Sequence, residues 1–377
     1  MLLRADTVAT GEELLRPGWV EVSGAAVAAV GAGPPPRRPD LDFGAATVAP
    51  GFVDTHVHGG GGGSFSDPDQ VAAAVALHRR HGTTTLLASL VTEAPEHLLA
   101  QVRSLVDPVR RGLLAGIHLE GPWLAEKRCG AHDPTLLRDP SPAELDAVFD
   151  AAEGTIRMVT LAPERDGALA AIRWIVAAGA VAAVGHTEAD YAQTRAAIDA
   201  GATVGTHLFN AMRPIHHREP GPVVALLEDP RVTVEIIADG VHVHSALYRE
   251  VTRSAGVNRV ALVTDAMAAA GMADGAYRIG PLAVEVRDAV ARLAGTDTIA
   301  GSTATMDRLF GFAVTHSGLP PEEALLAAVR QSSVTPARAL GLPSPVLRPG
   351  AAADLVVIDD TLAVRDVLVR GEWVSAA

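Results

Sequence analysis

The chain has 377 residues, 48% hydrophobic, 20% charged and 4% aromatic. This globular composition excludes a disordered or collagen-like polymer and leaves Ala, Val and Leu to fill a large core. Lys and Arg number 31 against 44 Asp and Glu, so the net charge is −13 and nucleic acid and anionic lipid are repelled. The single cysteine, Cys129, rules out an intrachain disulfide and the Cys-built zinc sites. MLLRADTVAT lacks the pattern of a signal peptide, and no uninterrupted apolar stretch is long enough to span a bilayer. A soluble cytoplasmic protein with no nucleic-acid or membrane partner is expected.

In chain order, residues 1–47 read as short β runs with Gly turns (WVEVSGAAVAAVGAG), followed by a Pro/Arg-rich loop (PPPRRPD). Residues 48–340 alternate apolar β runs with Ala/Leu-rich helical stretches. The strands are TVAPGFVDTHVH, TTTLLASL, LLAGIHLE, TIRMVTLA, AVAAVGHT, ATVGTHLF, VTVEIIAD and RVALVTDA. Helical patterns such as DQVAAAVALHRRHG, PEHLLAQVRSLVD, GALAAIRWIVAAG and DYAQTRAAIDAG separate them, and a weaker one, GPVVALLED, precedes the seventh strand. Residues 341–377 return to β runs, DLVVIDD and DVLVRGEWV. The expected fold is α/β: a TIM (β/α)8 barrel over 48–340, with a small β-sandwich domain formed by both chain ends. Gly59 to Gly63 read as a flexible turn.

Polar residues cluster where those strands end. Strand one ends in Asp54-Thr-His56-Val-His58, strand three in His118-Leu-Glu120, strand five in His186, strand six in His207 and strand eight in Asp265. A barrel brings these ends to one mouth, where the active sites of such enzymes sit. His56 and His58, two apart on a strand, share a face and suit a divalent cation; alternatively they are polar residues at a strand exit. Glu120, His186 and His207 form a two-His, one-carboxylate set that suits a catalytic metal. Singly, Glu120 reads as a surface turn residue and each histidine as a satisfied core side chain. Asp265 fits a general base beside an activated water, or else a helix N-cap. His242, in ADGVHVH, either hydrogen-bonds a substrate carbonyl or faces solvent. His216, His217 and Arg218 form a cationic loop suited to a phosphate or simply to water. Cys129, in KRCGAHDP, carries no nucleophile signature.

These segments resemble the N-acetylglucosamine-6-phosphate deacetylases of the amidohydrolase superfamily. The matching stretches run in order from about residue 48 to 308. They are PGFVDTHVHG, HLEGPWL with KRCGAHDP, GHTEA, THLFNAM with HHREPG, ADGVHV, LVTDAM and IAGSTATMD. The resemblance implies hydrolysis of N-acetyl-D-glucosamine 6-phosphate to D-glucosamine 6-phosphate and acetate, with a metal-activated water as nucleophile. It implies metal binding by Glu120, His186 and His207, acid/base chemistry by Asp265, and orientation of the acetyl carbonyl by His242. Ala131, Asn210, Ala211 and Arg218, together with His217 and the backbone at Ile299, Ala300 and Gly301, would hold the sugar phosphate. The implied cofactor is zinc or iron, one or two ions per subunit, since His56 and His58 retain a second site that Glu120 would bridge. The implied assembly is a homodimer that shares phosphate-binding residues across its interface. TIRMVTLAPE has no lysine, which argues against dihydroorotase- or urease-like relatives. A deacetylase of the C4 epimer, N-acetylgalactosamine 6-phosphate, or of another N-acyl amino sugar, and a catalytically silent scaffold, stand as alternatives.

Overall fold

Each apolar run of the middle segment forms a strand in the computed structural model, which describes residues 1–374. The strands are β1 (Phe52–Asp54), β2 (Thr83–Leu90), β3 (Gly116–Glu120) and β4 (Ile156–Leu161). β5 (Val181–Val184), β6 (Val204–Gly205), β7 (Thr233–Ile236) and β8 (Val260–Leu262) complete the set. All eight pair in parallel and in chain order. β3, β7 and β8 are buried along their whole length, which is why their sequences are almost uninterrupted in apolar residues.

A helix follows every strand: α1 (Val71–Arg80), α2 (Pro95–Arg110), α3 (Pro142–Ala152), α4 (Ala168–Ala177), α5 (Tyr191–Ala200), α6 (Gly221–Glu228), α7 (Ser245–Ala255) and α8 (Met306–His316). Local chemistry sets their limits. The Asp190 carboxylate accepts the N–H of Gln193 at 2.7 Å while the Gln193 amide accepts the N–H of Asp190 at 3.0 Å, and Gly201 ends α5 at φ +117°. The architecture is a TIM barrel, as the alternation in the sequence predicts.

β8 and β1 share no strand ladder, so the barrel closes by individual bonds. Asp265 donates its N–H to the His56 carbonyl at 2.8 Å, and His58 donates to Ala266 at 2.8 Å. Below them the buried Asp54 carboxylate accepts the Thr264 hydroxyl at 2.5 Å. Burial pushes this carboxyl up to about 7 despite the bonds from Thr264 and His56.

The chain ends form two further sheets, the first from N-terminal strands alone and the second from both ends. One orders Ala26–Ala32, Gly18–Ser23, Leu2–Ala5 and Leu41–Asp42. The other orders Glu372–Trp373, Val364–Val369, Leu355–Ile358, Thr47–Pro50, Thr7–Ala9 and Leu14–Leu15. They share an apolar cluster that includes Leu3, Val20, Val48, Leu355 and Leu368.

Three details depart from the sequence reading. TVAPGFVD is not one strand: Thr47–Pro50 pairs with Leu355–Ile358, and the barrel begins only at Phe52. Gly51 makes that transition, and a Cβ there would lie 2.2 Å from the Thr84 hydroxyl. The run Gly59 to Gly63 is not a slack turn. Gly59–Gly60 pairs with Gly63–Ser64, and the N–H groups of Gly59, Gly61 and Gly62 bond to Ala266, Ala270 and Ala268. Finally, an unforeseen antiparallel sheet (Gly275–Ile279, Leu282–Arg287, Val290–Leu293) follows β8. Its second turn, Asp288-Ala289, has φ of +52° and +58° without a glycine to signal it.

Thr264→Val leaves the buried Asp54 oxygen without its hydroxyl donor. We expect a loss of about 1–3 kcal/mol in unfolding free energy, read from the urea midpoint. An unchanged midpoint would show that barrel closure does not depend on this bond.

Candidate metal centre and active site

At the barrel mouth one carboxylate is surrounded by imidazoles. Glu120, the last residue of β3, is buried, and its Oε1 lies 2.9 Å from His207 Nε2, 3.1 Å from His186 Nε2 and 3.3 Å from His56 Nε2. Its Oε2 lies 3.2 Å from His58 Nε2. Asp265 Oδ1 approaches His58 and His56 Nε2 at 3.2 and 3.5 Å. The structure thus gathers the five histidine and glutamate candidates, with Asp265, around one point. The backbone is contorted to do so: His186, His207 and Asp265 all have positive φ, at +47°, +27° and +49°.

Hydrogen bonds on the far side of two of the rings fix the nitrogen that they present to the centre. His58 Nδ1–H donates to the Ser89 carbonyl at 3.1 Å, and His186 Nδ1–H donates to the Arg128 carbonyl at 2.8 Å. A neutral imidazole so held presents a lone pair at Nε2. Yet the Nε2 atoms of His186 and His207 lie 3.0 Å apart, and those of His56 and His58 lie 3.2 Å apart. Lone pairs facing each other beside two carboxylates make a donor set that calls for positive charge. By distance alone two groups, His56-His58-Glu120-Asp265 and Glu120-His132-His186, share Glu120. Burial opposes charge on His58, but Asp265 and Glu120 outweigh it and push its pKa up to about 9. Burial likewise opposes charge on Glu120, but His56 and His186 override it and hold the carboxyl well below its usual range. The residues present fit a divalent metal.

Two buried histidines nearby are excluded from that role by their tautomers and partners. His132 Nδ1 accepts the Thr92 N–H at 3.2 Å, so Nε2 carries the proton and faces Glu120 Oε2 at 3.4 Å as a donor. His118 is held between the hydroxyls of Ser89 and Thr160, each at 2.9 Å. Burial pushes both below the ordinary histidine value, His132 to about 4. Glu235, on β7, was not anticipated either. Its Oε1 accepts the Thr55 hydroxyl at 2.8 Å and its Oε2 stands 3.5 Å from His56 Nδ1. A lone carboxylate inside the apolar run VTVEIIAD was the available signal for it.

The cluster opens into a cavity of about 440 Å³, within the range of small-molecule sites. Its wall carries His58, Glu120, His186, His207, His242 and Asp265, and also Ala131, Asn210, Ala211, Ile299 and Gly301. His56 lies beneath, fully buried. Ala300 is fully buried in an apolar cluster with Met267, and its N–H is bonded to the Ala291 carbonyl, so it offers no free donor. His217 and Arg218 do not reach this wall. They are exposed and bonded to each other, with Arg218 Nη1 2.8 Å from His217 Nε2. The cations on the wall are instead Lys127 and Arg128, from the KRCGAHDP segment. Arg128 is paired with Glu188, whereas Lys127, the only lysine of the chain, is exposed. Cys129 does not line the wall, and burial pushes its thiol pKa up, away from a reactive thiolate.

If the tautomers set the ligands, His186→Ala should strip bound divalent metal from the protein, whereas His118→Gln should leave the metal content per subunit unchanged. Elemental analysis after dialysis measures both, and equal losses would sink the assignment.

The chain matches known proteins over most of its length and theirs. The chain has a TM-score of 0.99 and 66% identity to N-acetyl-D-glucosamine-6-phosphate deacetylase from Mycobacterium smegmatis, a mutant in complex with N-acetyl-D-glucosamine 6-phosphate. That match covers 100% of this chain and 99% of the other. N-acetylglucosamine-6-phosphate deacetylase of Danio rerio is 40% identical over 347 residues, 87% of this chain and 84% of its own. N-acetylgalactosamine-6-phosphate deacetylase of Escherichia coli O157:H7 is 38% identical over 337 residues, 87% and 88% of the two chains. No helix among the described residues is long and apolar enough to cross a membrane. The sequence profile of the amidohydrolase family matches residues 47–374, and with the barrel and its buried metal-ligand cluster this makes the chain a member of the amidohydrolase family.

Proposed function

We propose that this protein hydrolyses N-acetyl-D-glucosamine 6-phosphate to D-glucosamine 6-phosphate and acetate. The observation that carries this reading is the buried Glu120 carboxylate ringed by histidine Nε2 atoms at the floor of a cavity that also exposes Asp265 and His242. The similarity to a deacetylase holding that phosphosugar supports the choice of substrate. The similarity to a galactosamine-type enzyme makes the C4 epimer the first alternative substrate to test.

In this reading Glu120, His186 and His207 would hold a zinc or iron ion, and His56 and His58 would help hold a second one. A divalent ion so held would supply water acidic enough to give up a proton near neutral pH. Asp265 takes that proton as the water attacks the acetyl carbon, and then delivers it to the departing amine nitrogen. His242 donates a hydrogen bond to the carbonyl oxygen as negative charge builds there. Water therefore adds across the C–N bond, and the products are acetate and the free amine.

The phosphate anchors the far end of the substrate, and its binding orients the acetamide. Lys127 faces the cavity within the chain. Arg218 and His217 are exposed and do not line their own cavity, which suits delivery to the cavity of a second copy in a homodimer.

Asp265→Asn should lower kcat by roughly 10²–10⁴-fold, the range for lost acid/base chemistry, and near-normal turnover would remove Asp265 from this role. Arg218→Ala should raise KM for the phosphorylated sugar with little change for the unphosphorylated one. An undiminished preference for the phosphate would count against the shared clamp. The reading as a whole is tested by acetate release from acetylated amino sugars of both C4 epimers, with and without the 6-phosphate.

A further inference from the structure

His242 follows the Asp239-Gly240 turn after β7, and its ring is fixed from one side only. Asp239 Oδ2 lies 2.8 Å from His242 Nδ1. The other oxygen, Oδ1, accepts the backbone N–H groups of Val241 and His242, each at 2.8 Å. Both side chains are nearly buried, at 8% and 5% exposure for Asp239 and His242. The carboxylate, an acceptor only, therefore requires a proton on Nδ1. His242 Nε2 is the nitrogen left over. It is buried without a hydrogen-bond partner, on a residue that lines the same cavity as Asp265.

A neutral ring held this way presents a lone pair at Nε2. A carbonyl oxygen is also an acceptor, so the two repel, and repulsion grows as the oxygen becomes an anion. Only the doubly protonated ring can donate to it. We propose that Asp239 is a positioning residue for the hydrolysis: it holds His242 as an imidazolium with Nε2–H aimed at the substrate's acetyl oxygen. The proposal rests on the deacetylase reading and adds to it the protonation state and the residue that maintains it.

The local electrostatics agree. Burial opposes charge on His242, yet the hydrogen bond and charge of Asp239, aided by Asp265 from the end of β8, raise its pKa above the ordinary value. Burial also works against the Asp239 anion, but His242 and the two backbone N–H groups hold its pKa down. The charged pair is thus favoured from both sides. The sign for activity follows. The imidazolium is present below the raised pKa and is lost as pH rises through it, so His242 contributes an alkaline limb to kcat.

The test uses metal-loaded wild type, Asp239→Asn, His242→Gln and the double variant, with N-acetyl-D-glucosamine 6-phosphate as substrate. Asn can turn its oxygen to the two backbone N–H groups, which preserves the turn and sets its NH2 on Nδ1. The neutral ring then carries its proton on Nε2 and the limb flattens. The opposite orientation sets the NH2 against those two N–H groups and is disfavoured. We expect kcat to fall roughly tenfold or more while KM stays within about threefold, the pattern of a contact made in the transition state. Adding Asp239→Asn to His242→Gln should change kcat by less than about threefold, because the two residues act as one unit. An alkaline limb unmoved in Asp239→Asn, or full additivity in the double variant, overturns the role of Asp239 while leaving the deacetylase reading in place. A wild type that releases no acetate overturns both.

Discussion

The structure is organised around the electrostatic demand of one buried carboxylate. Glu120 terminates a fully buried strand, and solvent cannot stabilise its charge there. The chain answers with imidazoles from three other strand ends, those of β1, β5 and β6. Those imidazoles carry their own constraint. His58 and His186 have their outer nitrogens tied to backbone carbonyls, so their inner nitrogens carry lone pairs beside the carboxylate, and the Nε2 atoms of His56 and His207 crowd against them. Neither repulsion is relieved by the protein alone, and a divalent cation relieves both. Metal affinity is therefore written into hydrogen bonds one layer out from the ion.

The same demand explains the shape of the backbone. His186, His207 and Asp265 sit just past their strands with positive φ, where a side chain of their size is strained. The local strain turns each side chain back across the mouth of the barrel. It is sustained by closure bonds between the first and last strands, in which Asp54, Thr264, His56 and Asp265 are all engaged. Barrel closure and ligand placement thus share residues.

Charge on the cavity wall runs against charge on the chain. A net charge of −13 disfavours a phosphosugar at long range, so the local cations decide. Lys127 is exposed beside the cavity while Arg128 is tied to Glu188, and Arg218 with His217 is exposed and does not line it. A single chain therefore presents a hydrolytic centre with only part of the cationic clamp that the proposed substrate requires.

The sequence by itself determined the barrel and most of the centre. Period and burial fix strands and helices locally, so eight apolar runs with helical spacers had few other ways to fold, and the polar residues at their ends had to converge. What only the tertiary structure decided was the role of each polar group. His118 and His186 look alike as histidines near strand ends, but one is held between two hydroxyls and the other is turned by a carbonyl to offer a lone pair. Glu235 showed only as a carboxylate inside an apolar run, and the roles of Glu235 and Asp239 stayed hidden because their partners, His56 and His242, are identified by contact. The division at Gly51 and the hairpin at Asp288-Ala289 were hidden for a related reason. Strand pairing and positive-φ turns depend on what lies across the fold, and composition along the chain does not record it.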